Sequence, residues 1–515
     1  MDNTLKTSDQ IDIVRRAVIK RGGSVTIGDI VSETGFDTET AKSCLNKLIA
    51  TCEGVMRVSE TGELLYAFQG NCIQRDQRSW WDRNKEAIYK AIKVFFKVII
   101  FLFLVIYFII YMVILIALLS QNKGRNNINL GSAIWIFWGR RDYDYDRSSD
   151  TKKSEPIYTR VFNFMFGPEN PKKDPLELRT KCAQLIRARN GVVTVEDWMM
   201  ISGQTREKCE SDLARYTAEF DGDAQILENG TLVYVFPDVM KSMKSGARAP
   251  MPAPAWKTLE EPRKFTGNSG GGNAMVVGLN LFNLIMAYLC TAVIPTMLAA
   301  EAAQTGETIN YMTDSTFLWL GLIPLIFSIL IFAVPLLRIP SHIMENRRRR
   351  KEAVRKSMLS AIFDGNGNAT TKLPRSRAVI DTNKAIRASY TQDVTIDEFN
   401  DAMTTLSDEL GGDFVPNSTE ETSISFPDME LRLKEASQKR QQLDLKSQKV
   451  GRVVFSTNND EYDDIEAANN KSELEDFDRM ISRDPSASAR SRNQSRVEDE
   501  DASRALSNLS RYTSN

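Results

Sequence analysis

The strings TGELLYAF (Thr61–Phe68) and NGTLVYVF (Asn229–Phe236) lie 168 positions apart and share a glycine, a leucine, a tyrosine and a phenylalanine in the same places. In each string the glycine stands between two apolar runs, which is where a β-hairpin needs a residue that tolerates a positive φ angle. The two strings therefore predict one small hairpin-containing domain that occurs twice in the chain.

The same offset aligns a longer stretch without a gap. GSVTIGDIVSETGFDTETAKSCLNKL (Gly23–Leu48) lies over GVVTVEDWMMISGQTREKCESDLARY (Gly191–Tyr216), so a VT strand, a short acidic helix, a glycine turn and a longer helix recur in order. Apolar residues at helical spacing precede both stretches; they are Ile11, Val14 and Val18 in one copy and Leu178, Cys182, Leu185 and Ile186 in the other. This order predicts a winged helix-turn-helix over residues 8–72 and again over residues 174–240, with Asp29 and Asp197 capping the short helices.

A third, degenerate copy is predicted over residues 376–429. AVIDTNKAIRASYTQDVTIDEF (Ala378–Phe399) supplies a helix, a VT pair and an acidic helix, and SISFPDM (Ser423–Met429) supplies the last strand. Aligning Thr395 with Thr194 leaves this copy short by about three helical turns at roughly 3.6 residues per turn. The missing piece is predicted to be the helix that would enter a DNA groove.

Three apolar stretches are long enough to cross a bilayer, which needs about 20 residues; they are predicted over residues 93–120, 275–300 and 316–338. The connection between the second and third stretches has no Lys or Arg, whereas a basic cluster follows the third; it contains Arg347, Arg348, Arg349 and Arg350. Because basic flanks stay inside, both ends of this hairpin are predicted to face the cytoplasm.

The first stretch has basic residues on both sides, so its orientation is open. A single crossing would put the two complete copies on opposite sides of the membrane, whereas a re-entrant passage or a second pass near GSAIWIFWGRR (Gly131–Arg141) would keep them together. Residues 131–168 are predicted to be an interfacial aromatic and amphipathic segment. Its FNFMF part (Phe162–Phe166) fits a bilayer surface or the second copy equally well.

The remaining segments are predicted from composition. Residues 241–273 form a Pro- and Gly-rich linker, residues 430–457 a charged helix and a short strand, and residues 458–515 a disordered tail that is first acidic and then rich in Ser and Arg.

The chain offers little catalytic chemistry. It has 515 residues, a formal charge of −1, one histidine (His342) and six cysteines without metal spacing, so histidine-based triads and clustered metal sites are excluded as motifs. We therefore predict no enzyme activity, no catalytic residue, no cofactor and no metal site. Asn280, Asn283 and Ser328 lie inside the predicted spans, and we interpret them as polar links between helices in preference to a transport path.

DNA binding is the second hypothesis for the repeats. The longer helix of the second copy offers Gln204, Arg206 and Lys208 as DNA or partner contacts, but Glu207, Glu210 and Asp212 offset their charge. The first copy has Asp37 and Glu39 at the end of the helix that would meet the groove, where phosphate repels them. Charge therefore favours protein partners over DNA.

With VVTVEDW, NGTLVYVFPD, IWIFW, FNFMFGPENP and GRVVFS in view, the chain resembles a group of cyanobacterial and plastid multi-pass membrane proteins with repeated winged-helix-like units. That group is sometimes labelled as iron–sulfur cluster biosynthesis, and the resemblance transfers no functional residue to this chain.

The predicted fold class is therefore mixed α/β: small winged-helix domains, duplicated and with a degenerate third copy, plus α-helical transmembrane segments and a disordered tail. The predicted function is an integral membrane scaffold or adaptor for protein–protein interaction. A membrane-tethered transcription regulator and a membrane factor in metal-cluster assembly or transport are the alternatives. The expected partners are the lipid bilayer and unidentified proteins, with a homo-oligomer as an open alternative and DNA less favoured. The expected location is a bacterial inner membrane with most domains in the cytoplasm.

Overall fold

The computed structural model describes most of the chain. The described residues are 5–121 without 53, 69 and 74–77; 156–305 without 172–173 and 243–249; 317–363; 372–416; 422–442; 453–458; 462–468; and 471, 474 and 475. They form two compact units. The repeat-pair unit contains residues 1–78, 175–253 and 428–515, and the membrane-helix unit contains residues 79–174 and 254–427.

The first repeat consists of three helices, a short strand and a hairpin. In chain order its elements are α1 (Thr7–Arg21), β1 (Ser24–Thr26), α2 (Ile27–Thr34), α3 (Thr38–Cys52), β2 (Val55–Ser59), β3 (Leu64–Ala67) and the single turn α4 (Gly70–Ile73). Strand β3 lies between β1 and β2 and is antiparallel to both. This is the order of elements that the sequence predicted.

The second repeat has the same order. Its elements are α7 (Glu177–Ala188), β4 (Val192–Val193), α8 (Val195–Ser202), α9 (Arg206–Glu219), β5 (Asp223–Ile226), β6 (Leu232–Val235) and the turn α10 (Pro237–Met240). Helix α6 (Ile157–Phe166) precedes them in the chain and belongs to the membrane-helix unit. In both repeats a capping box begins the short helix, formed by Thr26 with Asp29 and by Thr194 with Asp197. The predicted capping role of the two aspartates is confirmed.

Two pieces of the C-terminal region complete this unit. Strand β10 (Val453–Ser456) pairs antiparallel with β2, so the sheet of the first repeat has four strands in the order β1-β3-β2-β10. Helix α16 (Pro427–Gln442) packs Ala436 on a buried cluster with Val192, Val233 and Val235 of the second repeat. The predicted charged helix and short strand are therefore built into the repeats.

The membrane-helix unit contains three helices that are long and apolar enough to cross a membrane, over Arg83–Ala117, Gly270–Met297 and Leu318–Ile362. The first belongs to α5 (Trp80–Gln121), a continuous helix of 42 residues. The second comprises α11 (Gly270–Tyr288), a π-helical turn (Leu289–Val293) and the start of α12 (Ile294–Thr305), and the third comprises a π-helical turn (Leu318–Leu322) and α13 (Ile323–Ile362). The prediction of three apolar helices is confirmed.

Each π-helical turn precedes a proline. Proline has no N–H group, so Pro324 leaves a carbonyl of the preceding turn without its intrahelical donor. Two tyrosines of α5 compensate: Tyr107 Oη donates to the carbonyl of Trp319 at 2.9 Å, and Tyr111 Oη donates to the carbonyl of Leu320 at 2.7 Å. The helix thus has a wider turn before Pro324, and this turn is hydrogen-bonded to a neighbouring helix.

The buried asparagines also join helices. Asn280 Nδ2 donates to the carbonyl of Ser328 at 2.9 Å, and Asn283 Nδ2 donates to the carbonyl of Leu104 at 2.8 Å. These bonds link α11 to α13 and to α5, as expected for polar residues that hold apolar helices together.

Helix α6 (Ile157–Phe166) packs against the membrane helices. Its Val161 and Met165 are buried with Ile100 of α5 and Ile331 of α13. Just after α6, Glu169 accepts from Lys97 Nζ at 2.8 Å, at the basic end of the apolar part of α5. The predicted aromatic anchor at Ile134–Trp138 lies outside the described residues.

The third repeat corrects the sequence alignment. Its sheet has the order β7-β9-β8, which is the order of the other two, and is formed by β7 (Leu373–Pro374), β8 (Asp413–Pro416) and β9 (Thr422–Ser425). Helices α14 (Arg375–Ile386) and α15 (Ile396–Leu410) lie between β7 and β8. The first edge strand is therefore Leu373–Pro374, not Val394–Thr395.

A glycine supports this register in all three repeats. Helices α3, α9 and α15 each begin 16 positions before a glycine. A Cβ atom on that glycine would lie within 3.0 Å of the ring of a phenylalanine 14 positions later; the pairs are Gly54 with Phe68, Gly222 with Phe236, and Gly412 with Phe426. Helix α15 is thus the counterpart of α3 and α9, and the prediction that this helix is lost is wrong. The C-terminal end of α13, which packs on α14 and α15, takes the place of the first helix. The capping box at Thr395 and Glu398 caused the error, because here it begins the second helix after the strand.

The second half of the predicted linker packs alongside α13. Arg263 exchanges two backbone hydrogen bonds with the Asn346 side chain, of 2.9 Å and 3.1 Å, and Glu260 lies 3.0 Å from Arg349. Residues beyond Pro254 therefore belong to the membrane-helix unit.

Candidate functional site

The strongest candidate site is the interface between the first two repeats. At its centre the buried Asp29 carboxylate accepts from Arg187 Nη1 at 3.0 Å and from Ser242 Oγ at 2.7 Å. The same guanidinium donates through Nε to the carbonyl of Val239 at 2.8 Å and through Nη2 to that of Lys241 at 3.3 Å. One arginine of the second repeat therefore satisfies both the helix cap of the first repeat and the backbone that follows α10.

The backbones approach closely around this pair. A Cβ atom on Gly28 would lie 2.5 Å from the carbonyl oxygen of Asp238 and 2.8 Å from that of Lys241. A Cβ atom on Gly35 would lie 2.7 Å from the backbone nitrogen of Thr180. Glycine at both positions is therefore required by the contact itself.

The interface also includes the start of α3. Thr38 Oγ1 donates to the carbonyl of Glu219 at the end of α9, at 3.2 Å. The N-terminal end of α3 therefore contacts the second repeat through Thr38, while Glu39 stays exposed.

The corresponding aspartate of the second repeat has a different partner. Asp197 is fully buried, lies 2.9 Å from Arg189 Nε, and forms an ion pair with Arg440 of α16. Arg440 Nε also donates to the carbonyl of Val192 at 3.0 Å. Each capping aspartate thus receives an arginine from outside its own repeat.

Both repeats place an arginine of their own beside the capping aspartate, but the interface arginine of the second repeat has no equivalent in the first. Arg21 lies 3.8 Å from Asp29, and Arg189 occupies the equivalent place beside Asp197. Arg187 is equivalent to Ile19, whose side chain is 38% exposed. The contact is therefore asymmetric. The second repeat carries the arginine that binds its neighbour, and the first repeat has an isoleucine at the equivalent position.

At this interface burial and ion pairing shift the pKa values of the charged groups in opposite directions. Desolvation lowers the pKa of Arg187, although the Asp29 carboxylate acts in the opposite direction. For Asp197, burial raises the pKa, but Arg440 and Arg189 together with the Thr194 hydrogen bonds outweigh it and hold the pKa below its usual value. Both pairs consequently need both partners, since a buried charge left alone is costly.

The predicted DNA or partner contacts lie at the start of α9. Arg206 is bound within its own repeat, with Nε 2.8 Å from Glu210 and Nη1 3.3 Å from Glu196. Gln204 is half-buried and Lys208 is exposed. Of the three, the structure therefore gives Arg206 an intramolecular role.

The basic cluster in the C-terminal part of α13 is largely paired. Arg348 and Arg349 bind Glu345, and Arg350 binds Glu398 at 2.9 Å. Arg347 is exposed and lines a pocket of about 530 Å³ that Arg350, Lys351, Glu398 and Asp401 also line. Arg350 thus joins α13 to the third repeat, whereas Arg348 and Arg349 pair with Glu345 on α13 itself.

The described residues contain no group of three or more His, Cys, Asp or Glu side chains placed to hold a metal ion. Cys44, Cys52, Cys182, Cys209 and Cys290 are buried and form no disulfide bond.

Sequence reasoning assigned Asp29 and Asp197 to capping only and did not single out Arg187 or Arg440. One signal was present: position 187 breaks the repeat pattern by placing an arginine where the first copy has Ile19. A charged residue near the end of a helix, at a position that is apolar in the other copy, indicates a contact between repeats.

One curated protein similar to this chain is an uncharacterized chloroplastic protein of Arabidopsis thaliana, with 24% identity over 376 residues, covering 65% of this chain and 70% of the relative. No family profile matches the chain, and no solved structure matches it significantly. The relative's location agrees with the resemblance to plastid proteins.

Proposed function

We propose that this chain is an integral membrane scaffold whose three repeats are winged-helix domains that bind proteins. In this proposal the apolar helices anchor the chain, and the paired repeats form one rigid docking body. In the same proposal the repeats bind partner proteins, the chain lies in a bacterial-type inner membrane, and the repeats face the cytoplasm.

The observation that carries it is the hydrogen bond from Thr38 to Glu219 with the close contacts at Gly35. In a winged helix that binds DNA, the N-terminal end of the third helix contacts base edges. Here that end of α3 contacts the second repeat through Thr38, so the first repeat uses part of its DNA-type surface for a protein contact.

The charge of the second repeat agrees with this function. Its α9 has three basic side chains (Arg206, Lys208, Arg215) and four acidic ones (Glu207, Glu210, Asp212, Glu219). A DNA-binding helix normally carries an excess of positive charge toward phosphate.

We also propose that both repeats lie on one side of the membrane. The repeats pack on each other, and Glu169 lies beside Lys97, near the entry of α5 into its apolar part. Single cysteines at the hairpin tips Thr61 and Asn229 should react with an impermeant thiol reagent from the same side of sealed vesicles; labelling from opposite sides would contradict this.

The function is tested by crosslinked affinity purification of the full chain from native membranes, with and without nuclease. We expect protein partners that survive nuclease and no DNA sequence enriched above a mock purification. Enriched DNA that is lost in Lys208→Glu, but kept in the matched exposed control Lys42→Glu of α3, would replace the scaffold with a transcription regulator.

A further inference from the structure

The outer edge of β5 is open. Strand β5 pairs with β6 along one edge, and no described strand pairs with the other. Ile226 on this strand is 75% exposed. An exposed strand edge with an apolar residue is a template for another strand.

The first repeat shows what such an edge accepts. The equivalent strand β2 is covered by β10, with Val453 opposite Ser59 and Ser456 opposite Arg57. Residues Ser59, Val58 and Arg57 correspond to Leu227, Ile226 and Gln225. The chain therefore contains an occupied and an open version of one edge.

The open edge has free backbone groups at known positions. Leu227 N–H donates inward to the carbonyl of Thr231, as Ser59 N–H does to Glu63. Strand residues alternate, so the backbone groups of Ala224 and Ile226 point outward. Met56, the counterpart of Ala224, uses these groups to bind Thr457 beside β10.

The surrounding charge defines the ligand further. Between Phe220 and Val235 the sequence has three acidic residues, Asp221, Asp223 and Glu228, and no Lys or Arg. The β10 segment is preceded by Lys449 and Arg452. In the register of β10 on β2, a basic residue before the strand would fall near Glu228.

We propose that the outer edge of β5 binds an extended segment of a partner protein, with apolar residues at alternate positions and a basic residue before them, by antiparallel strand addition. The inference deepens the proposed scaffold function and rests on it. It assigns the docking surface to the hairpin of the second repeat, away from Lys208.

The test uses the full chain in detergent micelles and a fluorescent peptide with the sequence KVGRVVFS (Lys449–Ser456), which represents the ligand class. Binding is followed by anisotropy for the wild type, Ala224→Pro and Ile226→Lys. Ala224→Pro removes an outward donor and leaves the ladder to β6 intact. The matched control is Met56→Pro, on the edge that β10 already covers.

We expect saturable binding that weakens about tenfold or more in Ala224→Pro and Ile226→Lys but not in Met56→Pro. Hydrogen exchange of β6 checks that the hairpin stays folded. Absence of binding, or binding that only Met56→Pro removes, would overturn the proposal. Self-association of the wild type that Ile226→Lys abolishes would also overturn it, because the occupant would then be a second copy. None of these failures changes the result of the nuclease experiment, so the scaffold function and the docking surface on β5 are tested independently.

Discussion

Asp29 and Asp197 occupy the same place in two copies of one repeat, yet they hold different parts of the molecule. Both close a capping box, and both have an arginine of their own repeat nearby, Arg21 or Arg189, three residues before the first residue of β1 or β4. Asp29 takes its second arginine from a whole folded repeat, whereas Asp197 takes it from the single helix α16.

The contact around Asp29 is therefore larger than the contact around Asp197. Around Asp29 the repeats also share close backbone contacts and the Thr38 hydrogen bond. Around Asp197 the contact is one helix that packs Ala436 on the sheet and places Arg432 at 2.7 Å from Glu196. Duplication supplied two equivalent acidic caps, and changes outside the caps gave them unequal partners.

The largest effect is expected from Arg187→Ala. It leaves the buried Asp29 charge without Arg187 and removes the side-chain donor from the carbonyl of Val239, a loss of about 3–5 kcal/mol for a broken buried pair. Hydrogen exchange with mass spectrometry on the full chain should show lost protection in α2 and α10 together. Arg215→Ala, at an exposed site, is the control, and unchanged protection in α2 would refute a joint role for the two repeats.

A smaller effect is expected from Arg440→Ala, because Asp197 keeps Arg189. The loss is about 1.5–3 kcal/mol for a hydrogen bond to a charged group. Protection should fall in α16 and at the start of α8, while α2 keeps its own. Loss of protection across both repeats would show that the two aspartates are not independent.

Gly28→Ala tests the close approach directly. The equivalent residue in the second repeat is Glu196, so a side chain fits the helix but not this interface. We expect about 1–3 kcal/mol of overpacking, seen as faster exchange in α10. Gly70→Ala, whose Cβ atom would meet nothing within 4 Å, is the matched control. Equal behaviour of the two variants would contradict the close contact.

The smallest and most gradual effect is that of acid. The pKa of Asp197 lies below its ordinary value of 3.8 in the folded chain. Its contribution to stability is therefore complete above that ordinary value and is lost as pH falls through the lowered pKa. Exchange in α16, corrected for the intrinsic rate, should stay constant above about pH 5 and rise as the pH falls below about 4, and less so in Arg440→Ala. A pH response of α16 that is the same in both proteins would exclude Asp197 as its source.

Much of the repeat fold could be predicted locally. The hairpin glycines, the capping boxes at Thr26 and Thr194 and the apolar helices each depend on neighbouring residues, so their sequence signals are direct. The same signal failed in the third repeat, because the capping box at Thr395 begins α15 and the first edge strand is the LP pair at Leu373. A local motif identifies a helix start but not which helix it starts.

The sequence by itself determined that a helix–strand–helix–helix–hairpin unit is repeated and that three helices are apolar enough to cross a membrane, since both depend on short-range periodicity and turn chemistry. Only the tertiary structure decided which arginine meets each buried aspartate, that β10 closes one sheet edge while the edge of β5 stays open, and that α13 supplies the first helix of the third repeat. These contacts join residues far apart in the chain, and burial of charge and of strand edges selects them without leaving a periodic trace in the sequence.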